Sequence, residues 1–348
     1  MNAMTDTMPR AKVAAPHATH KFKLLLKREY WEHKGGFFWA PFIAGGVFLL
    51  LTLMGVITAE VFKSRAADHN IDINGAHVQV GALDLSKLTQ HLSPEDLRQF
   101  GGAVDLTLMM SAGIPFIVLG FVVFFYALGS LYDDRRDRSV LFWKSMPLSD
   151  SQTVLSKLAS ATLVAPGLAA LAGIATMLVL MVMLSLLALV HGGNPFTLLW
   201  GPASPLSVAT TFIAAIPVYA AWAMPTIGWL MLCSAWARSK PFLWALVIPV
   251  FAGIFVSWFD VLHVFNLDTA WYWQHIFLRL LGSTFPTMLG AAANLDTMQI
   301  HGPEDIASLT TIRSLYSLFA TPSMWVGIVA GFGMIVAAIR LRRWRDEG

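Results

Sequence analysis

The chain has 348 residues, 56% of them hydrophobic and only 13% charged, with a mean hydropathy of +0.61 and a formal net charge of +3. Soluble domains run nearer to about 45–50% apolar and about 25% charged, so this composition excludes an ordinary water-soluble domain and makes a bilayer the main solvent. The single cysteine, Cys233, excludes an intrachain disulfide or a CxxC metal site and reads as a small apolar residue.

Residues 1–20 lack the apolar core of a cleaved signal peptide, so the first span is expected to stay attached as an anchor. In the segment 19–36, THKFKLLLKREYWEHKGG, Phe22, Leu25, Leu26 and Tyr30 share a helical face, with Lys23, Lys27 and Lys34 mostly off it. That pattern predicts an amphipathic helix in the membrane interface, in contact with lipid headgroups. Gly35 and Gly36 then let the chain turn into the bilayer. A plain basic flank of the first span would carry the same residues.

A helix needs about 20 apolar residues to cross the hydrocarbon core. Six stretches qualify: 37–59, 106–131, 158–190, 206–237, 241–259 and 322–339. None of them contains Asp, Glu, Lys, Arg or His. The sequence thus predicts an all-α polytopic membrane protein. It has a segment 1–36 with an interfacial helix, then one transmembrane domain, 37–348, of six spans, with outer-side helices before the last. Pro115, Pro166, Pro217, Pro225 and Pro249 are candidate kinks.

The basic residues set the orientation. Segments 1–36, 132–157, 238–240 and 340–348 carry 18 of the 24 Lys and Arg; segments 60–104 and 260–321 carry six. The positive side is expected to be cytoplasmic, with both termini there, in a bacterial inner membrane. In 60–104, the run Ser93-Pro94-Glu95-Asp96 reads as a helix start. In 260–321, Trp271, Tyr272, Trp273, Phe277 and Phe285 predict short helices over 268–290 that lie on, or dip into, the outer leaflet. Trp271, Tyr272, Trp273 and Phe277 serve there as anchors or as an outer lid. Pro303-Glu304-Asp305 reads as a further helix start.

Catalytic motifs are missing: there is no HExxH, GxSxG or GxxxxGK[ST]. No catalytic residue, metal or cofactor is expected, and no nucleic-acid partner. His263 and His275 could meet at the outer surface and read as interfacial polar residues. Charges at mid-bilayer mark ion pathways, and spans without them argue against a proton-coupled pump. They favour amphipathic or apolar cargo.

The loop after the second span, LYDDRRDRSVLFWKSMPLSDSQTVLSK (131–157), stands out. A charge cluster, Asp133, Asp134, Arg135, Arg136, Asp137 and Arg138, precedes an apolar patch of Val140, Leu141, Phe142 and Trp143. Pro147 interrupts the helix, and Ser149 with Gln152 has capping-box spacing, so a new helix starts there and runs into the third span. An apolar patch rimmed by charge marks a protein contact; packing of Phe142 and Trp143 on the membrane interface accounts for it equally well.

The layout resembles that of an ABC-2-type transporter permease, the membrane subunit of an ABC exporter. The architecture matches over nearly the full chain, and the motif match is confined to the 131–157 loop. Asp134 with Arg135, Ser139-Val140-Leu141, Pro147-Leu148-Ser149 and Lys157 follow the family pattern. Ser139 stands where Gly is usual, Val140 replaces Thr and Asp134 replaces Glu. The resemblance implies that the loop, through Asp133 to Arg138, Leu141, Phe142, Trp143, Lys144, Pro147, Leu148 and Ser149, docks on a separate ATPase subunit that binds the ATP. It also implies a second permease chain, identical or different. The other reading is a non-transport membrane scaffold, such as a sensor or assembly partner. A membrane enzyme is disfavoured by the lack of polar groups within the spans.

Overall fold

Apolar runs of this length have one inexpensive conformation in lipid, because only a helix pairs its own backbone groups. The computed structural model describes residues 18–67, 72–73, 76–77, 93–137, 149–262, 269–286 and 311–345. Helix α1, Ala18–Glu32, leads through a π-helical turn, Gly35–Trp39, into α2, Ala40–Ala67. Then come α3, Pro94–Gly129, the short α4, Tyr132–Arg136, and α5, Asp150–Ala159. A second π turn, Ser160–Val164, joins α5 to α6, Ala165–Val190. The next two long helices are α7, Pro205–Trp236, and α8, Pro241–Val261. A short segment follows: one turn at Thr269–Trp271, a π turn at Tyr272–Phe277, and α9, Leu278–Gly282. Last are α10, Ile312–Ser317, and α11, Pro322–Arg345. Apart from helices, the described residues hold one two-residue antiparallel pairing, Asp72–Ile73 with Ala76–His77.

Among the described residues six helices are long and apolar enough to cross a membrane: Gly35–Arg65, Pro94–Arg136, Asp150–Val190, Pro205–Trp236, Pro241–Val261 and Pro322–Trp344. The chain is an all-α polytopic membrane protein. Five of the six apolar runs lie within one of these helices and the fourth passes its helix by one residue, Ala237, while several helices outrun their runs. The second begins twelve residues before its apolar stretch, at the Ser93 cap. There the Ser93 hydroxyl accepts from Asp96 N–H, and the Asp96 carboxylate accepts from Ser93 N–H at 2.9 Å. The predicted Ser149 box is also present: its hydroxyl accepts from Gln152 N–H at 3.2 Å, and the helix runs on into the third span. At Gly35–Gly36, where the sequence predicts a turn into the bilayer, the chain forms a π turn with helical dihedrals at both flanks. Pro303-Glu304-Asp305 lies outside the described residues.

Small residues let the spans touch. A Cβ on Gly228 of α7 would lie 2.5 Å from the carbonyl oxygen of Gly331 in α11, and one on Gly331 would meet the Met224 backbone at the same distance. A Cβ on Gly173 of α6 would lie 2.6 Å from Ala112 O in α3. In lipid, such close backbone approach supplies the dispersion contact that a hydrophobic driving force supplies in water. Side chains repair the backbone where proline interrupts it. Pro249 has no N–H for the carbonyl of Ala245, and the indole N–H of Trp229 in α7 donates to that carbonyl at 3.0 Å. Pro166 likewise cannot donate to Thr162, and the helix widens into the π turn just before it.

Between α8 and α11 the chain returns into the bundle. Tyr272 is buried and its hydroxyl donates to Pro249 O at 2.7 Å, twelve residues before the end of α8. Trp273 packs on Gly253. Phe285 lies against Gly120 and crosses Phe121 edge-on, with ring centroids 4.8 Å apart. Of the two placements the sequence allowed for 268–290, the described part takes the one that dips inward.

The Gly228–Gly331 crossing gives a test of packing. Gly331→Leu is expected to lower unfolding stability in detergent by about 1–3 kcal/mol, the usual cost of overpacking. Gly333→Leu, where no atom lies within 4 Å of the new Cβ, is expected to leave the melting temperature unchanged. Equal melting shifts for both variants would contradict the crossing.

Candidate functional site

Helix α1 buries Leu25, as its amphipathic pattern requires, but the centre of the same face is a carboxylate. Glu29 is four residues on from Leu25 and has no solvent exposure. An unpaired carboxylate there would cost several kcal/mol, and the bundle supplies partners from two other helices. Lys157 of α5, 2% exposed, places Nζ 3.1 Å from Glu29 Oε1. The Tyr126 hydroxyl of α3 donates to Glu29 Oε2 at 2.8 Å. Tyr126 is held edge-on by Phe37 and His33, with centroids 4.9 and 4.7 Å away.

The network continues from Lys157. Its Nζ lies 3.5 Å from Asp134 Oδ1 in α4, which is 6% exposed. Asp134 Oδ2 receives Arg342 Nη1 of α11 at 3.2 Å, and Arg342 Nε reaches Asp150 of α5 at 3.3 Å. Arg342 is 5% exposed. Three carboxylates thus face two cations, and Arg28, paired with Glu32 at 3.2 Å, lies 4.0 Å from Glu29. The result ties α1, α3, α4, α5 and α11 together at the end of the bundle that carries both termini.

Arg135 makes a second tie. Helix α7 ends at Trp236, which leaves its last carbonyls without helical donors. The Arg135 guanidinium donates to Ser234 O and to Ala237 O, the latter at 2.9 Å. A cation at a helix C-terminus also suits the helix dipole. In return, Ser234 Oγ accepts from the N–H groups of Leu131 and Tyr132 at 3.0 and 2.9 Å.

The predicted loop residues therefore divide. Asp134 and Arg135 turn inward and engage other helices of the same chain. Asp133, Arg136 and Asp137 are exposed, with Arg136 Nε 3.2 Å from Asp137. Ser149 caps α5. Arg138, Leu141, Phe142, Trp143, Lys144, Pro147 and Leu148 lie outside the described residues. Glu29 and Arg342 were missed by sequence reasoning. A carboxylate on the apolar face of an amphipathic helix was the available signal for Glu29.

At the opposite end the lid candidates also separate. Trp271 is exposed and stacks on His275 with centroids 5.5 Å apart, Tyr272 is buried, and Trp273 meets Phe277 at 4.8 Å. Beside them, α9 carries Arg279 into the bundle. Its guanidinium lies 3.2 Å from the centroid of the Trp222 ring, and Nη2 donates to Ser323 O at 3.4 Å. The Arg279 backbone carbonyl accepts from Thr226 and Ser283 hydroxyls at 2.9 and 2.6 Å. A separate cleft of about 390 Å³ opens between Asp105, Met109, Ser204, Thr211, Ile312 and Arg313. Among the described residues no cluster of His, Cys, Asp and Glu is arranged to hold a metal; His263 lies outside them.

The fold and composition define a multi-pass membrane protein. Comparisons of the chain with protein-family models, with curated proteins and with solved structures found no match.

The charge network predicts strong coupling between its members. Lys157→Met leaves Glu29 and Asp134 without their shared cation and is expected to cost about 3–5 kcal/mol of stability, as for other broken buried pairs. Adding Glu29→Gln is expected to restore part of that loss. The measurement is a double-mutant cycle on unfolding in detergent; strictly additive effects would mean that the two groups do not share a charge balance.

Proposed function

We propose that this chain is the membrane-spanning permease subunit of an ATP-driven exporter, forming the translocation path and taking its motion from a separate ATPase subunit. The observation that carries the reading is the anchoring of the two helices that flank residues 138–148. Helix α4 is held by Asp134 to α11 and by Arg135 to the end of α7, while α5 is held by Lys157 to α1. A push delivered between α4 and α5 therefore reaches three other helices, α1, α7 and α11, through short charged contacts. The exposed charges of Asp133, Arg136 and Asp137 form the rim of that contact and steer the partner. Phe142 and Trp143 are its apolar anchors.

Nucleotide chemistry is assigned to the partner, because the chain has no GxxxxGK[ST] phosphate cradle. A second permease chain, identical or different, completes the unit. The division of Lys and Arg, 18 against six, supports a bacterial inner-membrane orientation with both termini in the cytoplasm. Residues 269–286 then enter from the outer side, and Trp271, Tyr272, Trp273 and Phe277 sit at the outer exit.

Two experiments test this reading. A reporter that works only in the cytoplasm is expected to be active when fused after Gly348 and silent when inserted at Asn70; activity at Asn70 would reverse the topology. In affinity purification from native membranes, wild-type chain is expected to bring down vanadate-sensitive ATPase activity. Phe142→Ala combined with Trp143→Ala is expected to reduce it at least about tenfold, since buried aromatic anchors contribute about 2 kcal/mol or more each. Undiminished ATPase recovery with the double variant would remove the docking assignment. No ATPase with the wild type would favour the scaffold reading.

A further inference from the structure

Lys157 and Arg342 each meet carboxylates, whereas among the described residues no carboxylate accompanies Arg279. Its neighbours are the Trp222 ring, the Ser323 carbonyl and Gly327, where a Cβ would lie 2.7 Å from Nη2. Gly327 is 15 residues before Arg342 on α11, so the guanidinium sits about 22 Å along that helix from the termini-side network at ~1.5 Å per residue. That depth falls within a hydrocarbon core about 30 Å thick, where a charge without a counter-charge marks function.

Three buried polar atoms at this place have no hydrogen-bond partner: Arg279 Nη1, Trp222 Nε1 and Thr284 Oγ1. They belong to one face-to-face contact. Tyr219, three residues before Trp222, donates to Thr284 O at 3.0 Å, and Thr226, four residues after Trp222, donates to Arg279 O. The first two orphans are donors only, and the threonine hydroxyl can donate. A ligand that satisfied them would bring acceptor oxygens and negative charge. Next to Arg279 and Gly327 in sequence, Leu278, Ile276, Trp325 and Val326 are exposed apolar side chains, which suits an alkyl chain.

We propose that Arg279, Trp222 and Thr284 form a binding site for the head group of an anionic amphiphile, a carboxylate or phosphate on an alkyl or acyl tail. The guanidinium supplies charge and directed donors to the head group. Gly327 leaves room for the guanidinium beside α11, and the exposed apolar side chains receive the tail. The site goes beyond the transport reading and does not depend on it, because binding is a property of this chain without an ATPase.

The test uses the purified full chain in an uncharged detergent and measures binding of dodecyl phosphate, dodecanol and inorganic phosphate by microscale thermophoresis. Wild type is expected to bind dodecyl phosphate at least tenfold more tightly than dodecanol or inorganic phosphate. Arg279→Gln is expected to abolish that preference, Arg279→Lys to retain part of it, and Arg313→Gln, an exposed change on α10, to leave it intact. Equal affinity of wild type for dodecyl phosphate and dodecanol overturns the site whether or not any variant folds. So does an unchanged preference in folded Arg279→Gln. Inorganic phosphate binding as tightly as dodecyl phosphate overturns the amphiphile and leaves only a free-anion site. Competition by phosphatidylglycerol, but not phosphatidylcholine, in nanodiscs supports the site and identifies a bilayer lipid as its occupant. Lack of competition by either, with dodecyl phosphate still bound, supports it with a single-chain occupant.

Discussion

The ammonium of Lys157 is closed off from water, and the arrangement of the termini-bearing end follows from how its charge is met. One carboxylate comes from α1, 128 residues away in sequence, and the other from α4, 23 residues away. Neither helix could shift by a few ångströms without stranding a charge in protein. Buried ion pairs are weak sources of net stability, because desolvation offsets much of the attraction. Their effect is on specificity: a single register satisfies Glu29, Lys157, Asp134 and Arg342 together. That constraint fixes α1 to the bundle, whereas apolar contact alone would leave a short amphipathic helix free to slide along the interface.

Between the two ends, the helices are joined by different means. Gly173, Gly228 and Gly331 allow backbone contact, and side chains from neighbouring helices replace hydrogen bonds that proline removes. Trp229 on the Ala245 carbonyl is the clearest case. Pro249 frees a carbonyl that lipid cannot satisfy, and Trp229 supplies its donor, so the sequence of α7 and the proline in α8 are linked. The Tyr272 hydroxyl on Pro249 O then anchors the returning segment to the same disturbed turn.

The parts of this architecture legible in the sequence are those set by local rules. Each span is a run of about 20 uncharged residues, and the starts at Ser93 and Ser149 follow from side chains that cap their own helices. Glu29 and Arg342 were not legible, because their roles depend on which helices meet, and helical periodicity says nothing about neighbours. The depth of 269–286 was ambiguous for a related reason: Tyr272 and Trp273 suit an interfacial belt or a buried contact equally, and only Pro249 and Gly253 on α8 decide. Arg279 was counted with the outer-side charges because its flanking run, HIFLRLLG, is too short to span. A lone arginine within such an apolar run was the missed signal.

The two charged centres contrast in a way that bears on mechanism. At the termini-bearing end Lys157 and Arg342 each face two carboxylates, and many of the polar atoms are paired within the chain. Such a cluster resists rearrangement and suits a rigid linkage. At the other end one cation rests on an indole ring and a carbonyl, with buried donors left over. A cation–π contact is worth about 2 kcal/mol or more when desolvated, which holds a guanidinium in place without neutralising it. A fixed, unneutralised cation at membrane depth attracts acceptor groups. The bundle thus combines a cluster of facing opposite charges at the end that holds α4 and α5 with a cation on an indole ring beside the returning segment. On the proposed reading, that asymmetry suits force entering at one side of a membrane and an amphipathic molecule being handled at the other.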